Sequence, residues 1–173
     1  MIYLIGSLRN PAIPSIAQEI RAAGFEVFDD WYAAGPEADD KWREYEQGRG
    51  RTYIEALGGL AAEHVFSFDR VHLDRADCAV LVLPAGKSGH MELGYIVGSN
   101  KPGYILVDSP DRWDVMYKFA TGVFERLEDL IAAIAGQSIL RGVSVLDSLD
   151  GVAGGTSAMP EMSYTQLGQR SVD

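Results

Sequence analysis

Short, unbroken apolar runs alternate along this chain with longer amphipathic stretches, and that alternation restricts the fold more than any other feature. Ile2–Ile5 ends in Gly6-Ser7, Phe25–Phe28 leads into Asp29-Asp30-Trp31, and Cys78–Leu83 is broken by Pro84-Ala85-Gly86. Tyr104–Val107 is a fourth such run. Between the first two, Ile13, Ile16, Ala17, Ile20 and Ala23 recur at spacings of three and four, which predicts a helix over Ile13–Ala23 closed by Gly24. Gly89–Ser99 predicts another helix. Glu125–Ala135 predicts a last one, with Leu127, Leu130, Ile131 and Ile134 on one face. A strand that is apolar throughout must be covered on both sides, so the expected class is α/β with a parallel sheet. Ligands in such sheets sit beyond the C-terminal strand ends, which directs attention to Gly6–Asn10, Asp29–Tyr32 and Pro84–Glu92.

At 173 residues the chain has the length of one domain. The tail from Gln137 to Asp173 is rich in Gly, Ser and Thr and is expected to be peripheral or partly mobile, with Ile139–Leu149 as a candidate edge strand. A net charge of -10 argues against a protein that tracks nucleic acid or lies on an anionic membrane, since both need clustered Lys and Arg. A small anion held by one Arg and a few backbone N–H groups is compatible with that charge. The single cysteine, Cys78, excludes an intramolecular disulfide and a Cys-rich metal site, and its apolar run makes it a buried spectator. No apolar stretch approaches ~18 residues, and Met1–Gly6 lacks the basic start of a signal peptide, so the expected location is cytoplasmic. The charged segment Glu37–Arg51 reads as a solvated helix with mixed i,i+4 pairs, or else as a lid or subunit contact.

Glu92 stands in Gly89-His90-Met91-Glu92-Leu93-Gly94-Tyr95, just inside a helix that follows the most apolar run. A first-turn acid there would serve the helix dipole. The flanking Gly89 and Gly94, however, allow close backbone approach, and a crevice carboxylate beside such a gap suits attack on an electrophilic carbon. Asp69 and Asp77 lie eight residues apart, with Asp77 expected to terminate a helix. Gly6-Ser7-Leu8-Arg9-Asn10 offers N–H groups, a hydroxyl and a guanidinium to an anion, although it is neither a Walker A loop nor a GxGxxG turn. The alternative is that Arg9 braces the loop by pairing with Asp29 or Asp30.

Tyr3-Leu4-Ile5-Gly6-Ser7-Leu8-Arg9, then Asp69 with Asp77, then Met91-Glu92-Leu93-Gly94-Tyr95 resemble, in order and spacing, the signature blocks of the nucleoside 2-deoxyribosyltransferase superfamily. That superfamily includes 2'-deoxynucleoside 5'-phosphate N-hydrolases. The resemblance implies a flavodoxin-like three-layer αβα sandwich, with residues 1–136 as the catalytic domain and 137–173 as a tail. It also implies a homo-oligomer, dimer or larger, and neither metal nor organic cofactor. It makes Glu92 the nucleophile, Asp69 the residue that handles the proton or holds sugar and base, and Tyr3 the hydrogen-bond partner of the nucleophile. Ser7 and Arg9, with Gly6, fall where the hydrolase branch contacts a 5'-phosphate. Trp113–Tyr117, containing Met116, resembles a stretch that reaches a neighbouring subunit's site. Six positions before the nucleophile, where the transferase branch carries an acid and the hydrolase branch a serine, this chain has Gly86, with Ser88 nearby. Base preference and the choice between transfer and hydrolysis are left open by that difference.

The expected reaction is cleavage of the N-glycosidic bond of a 2'-deoxynucleoside or its 5'-monophosphate through a glycosyl-Glu92 intermediate. Asp29, Trp31, Ser88, Gly89, His90 and Met116 complete the expected substrate-binding set. Two other readings stay open. One is a glycohydrolase of NAD or a ribonucleotide, with Trp31, Trp42 and Trp113 stacking on the larger ligand. The other is a nucleotide-sensing module that turns nothing over, a role that would not require Tyr3, Asp69 and Glu92 together.

Overall fold

A computed structural model describes residues 1–107 and 113–137. Residues Met1–Ala135 form one compact unit, and the chain from Gly136 belongs to a second. Residues 138–173, which include the candidate edge strand at Ile139–Leu149, lie outside the described residues.

The apolar runs become strands: β1 (Ile2–Ile5), β2 (Val27–Phe28), β3 (Cys78–Val82) and β4 (Gly103–Leu106), joined by β5 (Gly122–Phe124). All neighbours pair in parallel in the order β2-β1-β3-β4-β5. That order is the flavodoxin-like one, and its direction reverses between β1 and β3, the place where ligands bind in open sheets of this kind. The helices are α1 (Ile13–Ala22), α2 (Ala38–Gly48), α3 (Tyr53–Leu57), α4 (Leu60–Arg75) and α5 (Lys87–Gly98), followed by α6 over residues 127–137.

Strand alternation sorts the core into two layers. Ile2 and Leu4 of β1 and Val80 and Val82 of β3 meet Ile13, Ala17 and Ile20 of α1 and Leu130 and Ile134 of α6. Tyr3 and Ile5 of β1 and Ala79 and Leu81 of β3 face the other way, onto Leu73 of α4 and Leu93 and Ile96 of α5. The result is the expected αβα sandwich. Cys78 is buried within it.

Several boundaries differ from the sequence reading for identifiable reasons. Phe25 closes α1, its N–H reaching Ile20 O at 3.4 Å, so the second strand keeps only Val27 and Phe28. Gly24 takes the expected left-handed turn at φ +94°. α5 begins at Lys87 behind the N-cap Gly86, two residues before the expected start, which moves Glu92 from the first turn into the second. The first-turn acid inferred from sequence is therefore absent, and the helix dipole does not account for Glu92.

The segment 37–51 does form a helix, α2, with exposed Glu37–Lys41 and Asp40–Arg43 pairs at 3.1 Å. It is not solvated all round. Glu46 is 2% exposed and is held by Arg51 at 3.1 Å. Asp77 lies beyond the end of α4 and pairs with the N-terminal ammonium instead of capping the helix. Among the described residues no helix is long and apolar enough to cross a membrane.

Candidate active site

Three elements converge on the α4–α5 face of the sheet. The alternation of β1 turns Tyr3 to this side, where it is fully buried. α4 contributes Asp69 and the second turn of α5 contributes Glu92, both partly buried. Gly89 sets the approach of α5. A Cβ there would lie 3.0 Å from Ile5 Cγ2 and 3.1 Å from Leu81 Cδ1, so those side chains would have to give by a few tenths of an ångström before the helix could rest as closely on the sheet. Gly94 does not share this role, since a Cβ there would meet nothing within 4 Å. The close approach inferred from both glycines belongs to Gly89 alone.

The three polar groups are coupled. Burial, and then the charge of Asp69, push Glu92 up to about 7. Burial also raises Asp69, while a hydrogen bond from Tyr3 and the charge of His72 pull it back. The Tyr3 phenol is driven upward by burial, then by Glu92 and Asp69, so it keeps its proton and donates it in a hydrogen bond to Asp69. The resemblance implied a Tyr3 bond to Glu92. Here the bond goes to Asp69, and Glu92 acts on the phenol through charge. The Oδ1 atom of Asp69 is buried with no hydrogen-bond partner. A buried carboxylate oxygen without a partner is costly, which marks it as a place where an incoming donor or a proton is favoured. Two desolvated carboxyls, both raised, can divide into one that holds a proton and one that attacks.

The turn after β1 is built around Gly6, where a Cβ would lie 2.4 Å from Ile13 Cδ1. Ser7 Oγ accepts the N–H of Arg9 at 3.2 Å. The Arg9 guanidinium binds Asp40 of α2 at 2.8 Å, and Arg43 shares that carboxylate. Asp29 is instead engaged by Arg21, so neither Asp29 nor Asp30 is the brace considered for Arg9. Trp31 donates its indole N–H to Leu4 O at 2.7 Å and closes the end of β1, which is a packing role. Trp113 is 91% exposed.

Ser88 is exposed on the first turn of α5. His90 Nδ1 donates to Gly86 O at 2.8 Å, which leaves Nε2 to accept from the Tyr117 hydroxyl at 3.0 Å. This bond ties α5 to the 3-10 turn Val115–Phe119, on which Met116 is exposed. The structure thus joins Tyr3, Asp69 and Glu92 in one cluster, Ser7 and Arg9 with Asp40 in another, and His90 with the turn that carries Met116. Among the described residues no group of three or more His, Cys, Asp or Glu is placed to hold a metal ion.

No protein-family model matches the sequence, and no curated protein matches it either. Among solved structures, the 2-deoxyribosyltransferase from the psychrotolerant bacterium Bacillus psychrosaccharolyticus is similar over 75% of this chain and 89% of that one. The two share 20% sequence identity, with a TM-score of 0.52. The chain has the fold of a 2-deoxyribosyltransferase. That enzyme is described as a biocatalyst for the synthesis of nucleosides.

Three pairings of the site region escaped the sequence reading, although Asp40 and Tyr117 stood in segments it singled out. Asp40 is 31 positions from Arg9 and has no local signal for the pairing. Tyr117 meets His90 across 27 positions in the same way. His72 did carry a signal, since it follows Asp69 by three residues and therefore shares its helix face.

Proposed function

We propose that the protein cleaves the N-glycosidic bond of a 2'-deoxynucleoside or its 5'-monophosphate and passes the deoxyribosyl group to another base or to water. The observation that carries this reading is Glu92, desolvated to about 7 beside Asp69 and Tyr3, in a fold shared with an enzyme named for deoxyribosyl transfer. In the first step a Glu92 oxygen attacks C1', and the C1'–N bond breaks with its electron pair leaving on the base. Asp69, desolvated and held by the Tyr3 phenol, serves the leaving base or a sugar hydroxyl, and the base takes up its proton through that carboxyl or from water. Tyr3 fixes the Asp69 carboxyl in place. In the second step a new base or water attacks C1' and releases Glu92, so two inversions return the original configuration.

The 5'-phosphate belongs at Ser7 and Arg9. The ion pair that Arg9 makes with Asp40 is exposed on both sides, and such pairs contribute little, about 0–1 kcal/mol, so a phosphate can displace it. The proposal also makes the protein a homo-oligomer. Supporting this, α4 buries only Leu73 while Leu60 (88% exposed), Val65, Phe66 and Val71 stand in solvent. Sedimentation of the wild type and of Phe66→Glu tests the point, the oligomer being lost in the variant; a wild-type monomer overturns it.

The function is tested by incubating the protein with a panel of deoxynucleosides and their monophosphates, with and without a free purine or pyrimidine, and following bases by chromatography. Base release alone indicates hydrolysis, and base exchange indicates transfer. Release from neither class overturns the proposal.

A further inference from the structure

α4 and α5, which carry the two site carboxyls, are tied to each other by side chains that the chemistry proposed above does not use. Tyr95 stands three residues beyond Glu92 on α5, and its hydroxyl donates to Asp74 Oδ1 on α4. Arg70, the residue after Asp69, donates from Nε to both oxygens of the same carboxylate, at 3.2 and 3.1 Å. Its guanidinium carbon also lies 4.3 Å from the centre of the Tyr95 ring, a cation–π distance. Just past α5, Lys101 Nζ donates to the carbonyls of Leu73 and Asp74, at 3.3 and 2.6 Å. Those carbonyls belong to the last turn of α4, where a helix leaves its acceptors without partners of its own.

α4 depends on such a tie because its packing is thin. Of its 16 residues only Leu73 is buried, whereas α5 buries Gly89, Leu93 and Ile96 in 12. Phe68 and His72 lean on Phe28, which fixes α4 to the edge strand β2 and not to α5. Apolar burial alone therefore leaves α4 loosely placed against its neighbour. Arg70 and Asp74 are each close to half exposed, and an exposed ion pair by itself contributes little to stability. The members of this cluster share one carboxylate, however, so together they set a distance between two helices even where they add little to folding.

We propose that Tyr95 and Asp74 form a latch that sets the separation of α4 and α5, and that Tyr95 is thereby a positioning residue for Asp69 and Glu92. A helix is stiff over a single turn, so a shift of α4 against α5 at Asp74 and Tyr95 is passed to the two carboxyls that the same helices carry. A displacement on the order of 1 Å is enough to spoil the geometry of attack. The latch acts on the chemical step and not on capture of the substrate. This inference rests on the proposed function for its kinetic consequence only, since the spacing of the carboxyls can be read without substrate.

The test uses the full-length protein and two variants. Tyr95→Phe keeps the ring under Arg70 and removes the hydroxyl, and Asp74→Ala removes the acceptor from an exposed position. Without substrate, a carboxyl 13C NMR titration, with Asp69 and Glu92 assigned through Asp69→Asn and Glu92→Gln, reads the interaction of the two carboxyls as the gap between their titration steps. The expected result is a gap narrowed by about half a pH unit in both variants, because charges further apart interact less. With substrate, kcat should fall about tenfold in both while KM stays within about twofold. Asp74→Asn, which keeps an oxygen for the Tyr95 hydroxyl, should retain most of the rate. An unchanged gap in a folded variant, or a raised KM with wild-type kcat, overturns the inference. Absence of any base release by the wild type would overturn the functional reading alone, with the titration still deciding the latch.

Discussion

The two faces of the sheet use the same strands for different ends. On the α1–α6 face, β1 presents Ile2 and Leu4 to Ile13, Ala17, Ile20, Leu130 and Ile134, all of them buried and none ionisable. On the α4–α5 face the same strand presents Tyr3, and the helices bring two carboxyls to it. The first face is packed as an ordinary interior, in which every buried group adds to stability. The second buries two acids whose desolvation outweighs what Tyr3 and His72 return to Asp69, and both are shifted upward as a consequence. One side of a four-residue strand therefore holds the domain together, and the other holds polar groups at some expense of stability.

That contrast can be broken at either face, and the largest effect is expected on activity. Glu92→Gln should cut base release by about 10³-fold or more, because it removes the attacking oxygen while preserving shape. Wild-type turnover should rise with pH through about 7 as Glu92 ionises. Steady-state rates across pH check both statements.

On the sealed face, Ile20→Ala removes a fully buried side chain and should lower stability by about 2–5 kcal/mol, read by urea unfolding, with the chemistry little altered. The same measurement on Glu92→Gln should move the other way. Folded Glu92 keeps its proton up to about 7, against an ordinary value of 4.5, so the folded state binds more protons than the unfolded chain within that window. Stability contributed by this group accordingly falls as pH rises from about 4.5 to 7, and the penalty is complete above it. Replacing Glu92 with Gln should stabilise the protein by on the order of 2 kcal/mol at pH 8, with the gain fading towards pH 4.

The smallest effect is expected at the rim. Arg9→Ala should weaken use of monophosphates by about tenfold, the scale of one charge-assisted hydrogen bond, and leave unphosphorylated nucleosides nearly unaffected. Paired kcat/KM values for a nucleoside and its monophosphate read this directly. Equal losses for both would assign Arg9 to bracing α2 through Asp40.

The architecture was legible in the sequence because a parallel strand buried on both faces leaves an unbroken apolar run. Ile2–Ile5 and Cys78–Val82 needed nothing else. β5 was not legible, since Gly122-Val123-Phe124 is three residues long and has a single neighbouring strand to satisfy. The gathering of Tyr3, Asp69 and Glu92 was anticipated only through resemblance. Their coupling depends on burial, which spacing along the chain does not encode. The pairing of Arg9 with Asp40 was hidden because α2 lies between β2 and β3 in sequence and reaches the turn after β1 only in the folded chain. The role of Gly89 was half visible, in that two flanking glycines suggested a close approach and only one of them makes it.

The most direct test of the account is mass spectrometry of the protein quenched during turnover, or after exposure to a 2-fluoro sugar analogue that slows the second step. The account predicts one glycosyl adduct, located by peptide mapping on Glu92 and absent from Glu92→Gln. An adduct on any other residue, or turnover that gives the inverted sugar with no adduct, would contradict it.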